Sequence, residues 1–238
     1  MQNPSIDLKR GAEGARYALL RRLAPAILHQ IAGSFQPVIM MSAIIEKRVQ
    51  AAAPDLAALA KTSKNIGQFA TAATRSNLDL IGWIAPQPQS LVPLDAGVQQ
   101  SLHLVATELS FRGFKCLNQT QDVAVEVALS HVRGVFVAAL LALTDSAAIP
   151  STVLVTAQLV GMELVVTIAL TDANATTEAA AVATGPHEDF DWRMAMYRKI
   201  EWADVEAMAA ADGVVLQHSP QKLVLRLPTA TATATLSA

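Results

Sequence analysis

Two stretches of this chain repeat apolar residues at alternating steps of four and three, and that pattern leaves few folds open. In the first, Leu20, Ala24, Ile27, Ile31, Ser34, Val38, Met41 and Ile45 mark the seam. In the second, Leu56, Leu59, Ser63, Ile66, Ala70, Ala73, Asn77, Leu80 and Ile84 mark it. Such steps keep one face of a helix turned toward a neighbour. The spacing predicts a helix from near Ala15 to about Gln50, after a polar, aperiodic lead over residues 1 to 12, and a second long helix capped by Asp55. Helices joined by so short a link fold back antiparallel. A lone hairpin leaves half of each seam exposed, so two copies are expected to pair as a homodimer with a four-helix bundle.

His29 is the residue the seam does not explain. It lies two positions after Ile27 and two before Ile31, on the side farthest from the seam, where water is expected. Gln36 recurs one heptad later on the same face, and Gly33 between them leaves the backbone open to a partner. Pro25 and Pro37 flank the histidine, and each removes a helical hydrogen bond and predicts a bend. His103, His131, His187 and His218 fall in separate elements without metal-ligand spacing and read as surface or boundary residues. No serine carries the glycine pattern of a nucleophile elbow.

Composition narrows the partners. Eighteen basic and 20 acidic residues give a net charge of -2, and no basic cluster is interleaved with aromatics, so nucleic acid is not an expected partner. The first residues lack the apolar core of a signal peptide, and the longest apolar run, Val135 to Leu143, is too short to cross a bilayer. The reading is a cytoplasmic protein with no membrane partner. Cys116 is the single cysteine, which excludes an internal disulfide and reads as a small apolar filler in a strand.

Residues 1–85 are thus assigned to the hairpin, and the proline-rich residues 86–94 to a linker. Residues 95–228 mix both periods. Helices are predicted over Asp95–Ser110, Val125–Ala147 and Trp202–Ala211, and a strand over Phe114–Leu117. Strand pairs are predicted over Thr152–Leu159 with Met162–Leu170, and over Val214–Gln217 with Leu223–Leu227. Thr171–His187 reads as a mobile loop, and residues 229–238 as a disordered low-complexity tail. The fold class is α+β: a helical hairpin followed by an α/β sandwich.

Leu28-His29-Gln30-Ile31 followed by Gln36-Pro37-Val38 resembles the H-box of bacterial sensor histidine kinases, and the element order from about Ala15 to Pro228 resembles their core. The resemblance implies a dimerisation and phosphotransfer hairpin with His29 as phosphoacceptor, and an ATPase-like sandwich behind it. In that family an acid follows the histidine. Gln30 stands here instead; it can fix the ring tautomer by a hydrogen bond but cannot act as a carboxylate base.

The second half departs further from the family pattern. Two asparagines that hold magnesium and phosphates in the kinases correspond here to Ala138 and Ala142, which coordinate nothing. The first glycine box falls on Thr171 to Thr176, where only Asp172 survives and Asn174 and Thr176 replace glycines. The second falls on Tyr197-Arg198-Lys199-Ile200-Glu201, which holds no glycine. The resemblance thus implies a fold kept and a nucleotide site lost, with no cofactor and neither ATP nor magnesium bound. The expected function is a histidine phosphotransfer protein that relays a phosphoryl group through His29 between response-regulator receiver domains. Gln30 would fix the tautomer and Gly33 and Gln36 would serve docking. A non-catalytic kinase-like scaffold is the alternative, and an active histidine kinase the third reading.

Overall fold

The computed structural model describes residues 4–84, 90–161, 163–171 and 199–228. The linker's residues 85–89, the expected mobile loop from residue 172 on, His187, the first glycine box beyond Thr171, and the tail lie outside them.

Helix α1 runs from Pro4 to Val49 and α2 from Leu56 to Ile84. The first helix begins eleven residues before the expected start, with proline at its first position, where a missing N–H costs nothing. What read as a polar lead joins the helix, its one alanine, Ala12, falling on the same side as Ala15 and Ala18 in the turns that follow. Ala12, Ala15 and Ala18 are at most 5 % exposed. Asp55 caps α2 as expected, its Oδ1 accepting from the Ala58 N–H at 3.0 Å.

The chain divides into two compact units: residues 1–23 together with 87–238, and residues 24–86. In the first, α3 (Leu94–Phe111), α4 (Val137–Ser146) and α5 (Trp202–Ala211) accompany a five-stranded sheet. Its strands are β2 (Lys115–Gln119), β4 (Thr152–Val160), β5 (Glu163–Thr171), β6 (Val215–Ser219) and β7 (Lys222–Pro228), in the order β2-β4-β5-β7-β6. β2 is parallel to β4 and the other pairs are antiparallel. The pairs Leu164–Leu227, Val166–Leu225 and Ile168–Leu223 lie in register, and all six side chains are buried, so one face of the sheet is a continuous apolar layer.

Glycine sets the ends where the sequence predicted them. Gly113 and Gly213, at φ 78° and 68°, follow α3 and α5. The N–H groups of Phe114 and Val214 then reach back to the carbonyls of Leu109 and Ala209, at 2.9 and 2.8 Å, closing both helices in the same way. Gly161, at φ 64°, opens the β4–β5 turn.

The expected helix over Val125–Ala147 is three elements. Strand β3 (Glu126–Ala128) pairs with β1 (Leu91–Pro93), a π-helical segment covers His131–Phe136, and α4 follows. β-Branched residues near its start favour the strand once a partner is at hand. Every residue of α4 from Val137 to Thr144 is buried. The sheet covers one side of a helix only. The rest of the covering includes α1, whose Gly11 lies 3.9 Å (by its virtual Cβ) from Ala207 of α5 and whose Arg22 reaches Asp145 of α4.

The other unit is the antiparallel hairpin of Ala24–Val49 with α2. The expected seam is the less exposed face of both helices, with two exceptions. Leu56 is 76 % exposed, and Thr62 rather than Ser63 turns inward, 6 % exposed, its hydroxyl donating to the Ala58 carbonyl at 2.8 Å.

Candidate functional site

In the hairpin, α1 carries three faces. The seam face of Ile27, Ile31, Ser34, Val38, Met41 and Ile45 is buried or half-buried. One position on, Leu28, Ala32, Phe35, Ile39 and Ser42 repeat the four-three spacing, yet all are exposed, Leu28 at 65 % and Ile39 at 68 %. α2 has a matching second stripe of Gly67, Thr71, Thr74, Leu78 and Ile81, again exposed. Thr71 and Thr74 donate their hydroxyls to the carbonyls of Gly67 and Ala70, both at 2.9 Å, so they add little unmet polarity to it.

His29, Gly33 and Gln36 occupy the third face, and all three are exposed. Among the described residues no hydrogen bond or ion pair engages His29, so its ring nitrogens are open to a partner. Gln30, the expected tautomer-fixing residue, is half-buried and makes no hydrogen bond to His29 in this structure. A Cβ on Gly33 would meet nothing within 4 Å, so the backbone is open there. Pro37 has no N–H, which leaves the Gly33 carbonyl without its helical donor.

In the other unit, Ala138 and Ala142 are 0 % and 1 % exposed, methyl groups inside a core. Of the second glycine box, Ile200 is buried and Glu201 caps α5 through reciprocal bonds with Asp204, so these positions serve the helix start. Tyr197 and Arg198 lie outside the described residues. Cys116 is half-buried in β2 and burial pushes its thiol up to about 11, which suits a filler rather than a nucleophile.

Two charged clusters escaped the sequence reading. Arg22 pairs with Glu108 and lies 3.5 Å from Asp145; Arg112 lies 2.9 Å from Asp145 and 3.4 Å from Glu108 and donates to the Thr144 carbonyl at 2.8 Å. The side chain of Asp145 is wholly buried. Burial raises the Glu108 carboxyl and lowers the Arg112 guanidinium, against the pull of their partners. The second cluster holds Arg16 paired with Asp212, and His131, which is 7 % exposed rather than at the surface. Burial pushes the His131 ring below the usual histidine range, and Asp212 pulls it back in part. Only the Glu108–Arg112 spacing of four could have been noticed in the sequence; the other partners come from distant elements.

No protein-family model and no curated protein matches the chain. Among solved structures it is similar to histidine kinases. One is AdeS of Acinetobacter baumannii, with 13 % identity over 82 % of this chain and 96 % of that one at a TM-score of 0.42. Another is a histidine kinase of Burkholderia phymatum STM815, with 14 % identity over 87 % and 97 % at 0.40. A bacterial phosphotransferase is similar over 95 % of this chain and 98 % of its own, with 8 % identity and a TM-score of 0.36. The chain is an α+β protein, a helical hairpin followed by an α/β sandwich, on the evidence of its own elements.

Proposed function

We propose that this protein is a histidine phosphotransfer protein of two-component signalling, which takes a phosphoryl group from the aspartyl phosphate of one receiver domain onto His29 and gives it to another. The observation that carries the reading is the third face of α1, where an exposed histidine stands apart from both apolar stripes beside an open glycine. A ring nitrogen attacks phosphorus as the phosphorus–oxygen bond to the aspartate breaks; the carboxylate leaves with the electron pair, and the other ring nitrogen keeps its proton. The protein need only present that nitrogen in line, because the receiver brings the activated phosphate. In this reading Gln30 would steady the developing ring charge by turning its side-chain oxygen toward the protonated nitrogen as the receiver docks.

The second stripes on α1 and α2 support pairing with a second copy. Their spacing matches a bundle seam, and an apolar stripe of this length on a soluble chain favours a partner. α1 is also long and apolar enough, by length and composition, to cross a membrane. A spanning helix is apolar all round, however, whereas this one sets His29, Gln36 and Lys47 on one side. We further propose that no nucleotide is used; Ala138 and Ala142, which the resemblance sets at the positions of the kinases' metal- and phosphate-holding asparagines, are buried methyl groups, and this supports the reading.

The test mixes the protein with phosphorylated receiver domains from the same genome. Label is expected on wild type and not on His29→Ala, with receiver binding nearly equal in the two, and Gln30→Glu is expected to raise the transfer rate. Receivers that bind without ever labelling His29 would mean a scaffold. Micromolar binding of magnesium-ATP with labelling of His29 would mean a kinase.

A further inference from the structure

Two residues that a helix interior disfavours combine just after the histidine. Gly33 brings backbone freedom that works against helix formation, and Pro37 brings no N–H to the helical ladder. Packing does not explain the glycine. A Cβ at Gly97 would stand 2.9 Å from side-chain atoms of Val92 and Val132, so that position must stay bare, whereas a Cβ at Gly33 would meet nothing within 4 Å. Backbone conformation does not explain it either, since Gly33 is not among the glycines with positive φ.

The two together expose one main-chain acceptor. Of the prolines inside α1, Pro25 follows Arg21 by four residues and Pro37 follows Gly33 by four, so each leaves one carbonyl without its helical donor. Only at Gly33 is there no side chain to shield that carbonyl. Glycine's exposure is exposure of the main chain itself, and Gly33 is exposed. The proline ring crowds the carbonyl and tilts it outward from the helix axis. Among the described residues no side chain donates to it. Gly67 of α2 is equally open, but its carbonyl accepts from the Thr71 hydroxyl at 2.9 Å.

The position is what gives the acceptor a use. Four residues carry Gly33 about 6 Å along α1 from His29 and about 40° round it, so the two share a face. Gln36 and Met40 continue that face, both exposed. We infer that the Gly33 carbonyl is a docking acceptor, to which a receiver domain laid on His29 donates a hydrogen bond from an N–H group. This rests on reading His29 as the phosphoacceptor. A bond made on docking and kept through transfer changes the receiver concentration needed, not the maximal rate.

The test follows single-turnover transfer from a phosphorylated receiver to the full chain, as a function of receiver concentration. Pro37→Ala returns an N–H that takes up the carbonyl within the helix, and Gly33→Ala covers it with a methyl group. Each should raise the half-saturating receiver concentration about fivefold at an unchanged maximal rate. The two together should cost no more than the worse single substitution, because one contact is lost in all three. Pro25→Ala, which also restores a helical N–H but to the Arg21 carbonyl, should dock as wild type. The inference is overturned if Pro37→Ala keeps the wild-type half-saturating concentration, if the two effects multiply, or if Pro25→Ala weakens docking equally. A fall in maximal rate alone would also overturn it, by assigning Pro37 to the shape of the helix. If no variant ever labels His29, the phosphoacceptor reading fails. Calorimetry of receiver binding to the same variants then decides the carbonyl's role, and equal affinities, or no binding at all, would overturn it.

Discussion

At the scale of single residues, the buried charges of Arg22, Glu108, Arg112 and Asp145 are the strongest constraint outside the hairpin. Two positive and two negative groups balance, so removing one leaves another buried without compensation. Arg22→Met is expected to destabilise the sandwich unit by about 3–5 kcal/mol, read from chemical denaturation, because Asp145 loses a counter-charge. Adding Glu108→Gln to it should recover part of the loss. His131 gives a pH dependence of known sign. Its ring is held below the usual value of 6.5 by burial, so the unfolded chain binds the proton more readily. The stability from this site is complete above 6.5 and is lost as pH falls below it toward the folded value. Glu108, raised by burial, works in the opposite sense, losing stability as pH rises from 4.5 through its folded value. The difference in urea midpoint between wild type and His131→Phe should therefore widen in favour of wild type from pH 5 to pH 7. The sequence showed His29, because a period marks a residue that breaks it. It hid His131 and Arg22, because the fold alone supplies their surroundings.

At the scale of elements, the two stripes on α1 make separate predictions. Ile31→Asp puts a charge inside the hairpin seam and should cost helicity of the hairpin itself. Ile39→Glu alters the exposed stripe and should yield monomers with helicity intact, measured by light scattering and circular dichroism. A protein that is monomeric before any substitution would contradict the pairing. Periodicity and glycine made most elements legible: α5 has the bounds read from the sequence, and the turn at Gly161 falls where expected. The misses share a cause. The first turns of α1 are mostly polar, with Gly11 and Gly14 among them and few apolar residues, which weakens any periodic signal, and β3 with the π-helical segment sits in an apolar run that reads equally well as plain helix. The four-three spacing also sets Leu56 in the seam, because spacing says nothing of where the facing helix ends.

At the scale of the whole molecule, α1 is one helix whose first part belongs to the sandwich unit and whose later part carries the histidine. Residues 87–238 produced without residues 1–23 are expected to lose their cooperative melt, because α4 and the Arg22 partners would be uncovered, and to regain it when the segment is restored. A cooperative melt of that fragment alone would show that the segment merely rests on a complete unit. The central claim, a phosphoryl relay through His29 that needs no nucleotide, is tested most directly by mapping label on the full chain after mixing with a phosphorylated receiver in nucleotide-free buffer. The account predicts acid-labile, base-stable phosphate on the peptide that contains His29. Label that reaches His29 only when magnesium-ATP is added would contradict it.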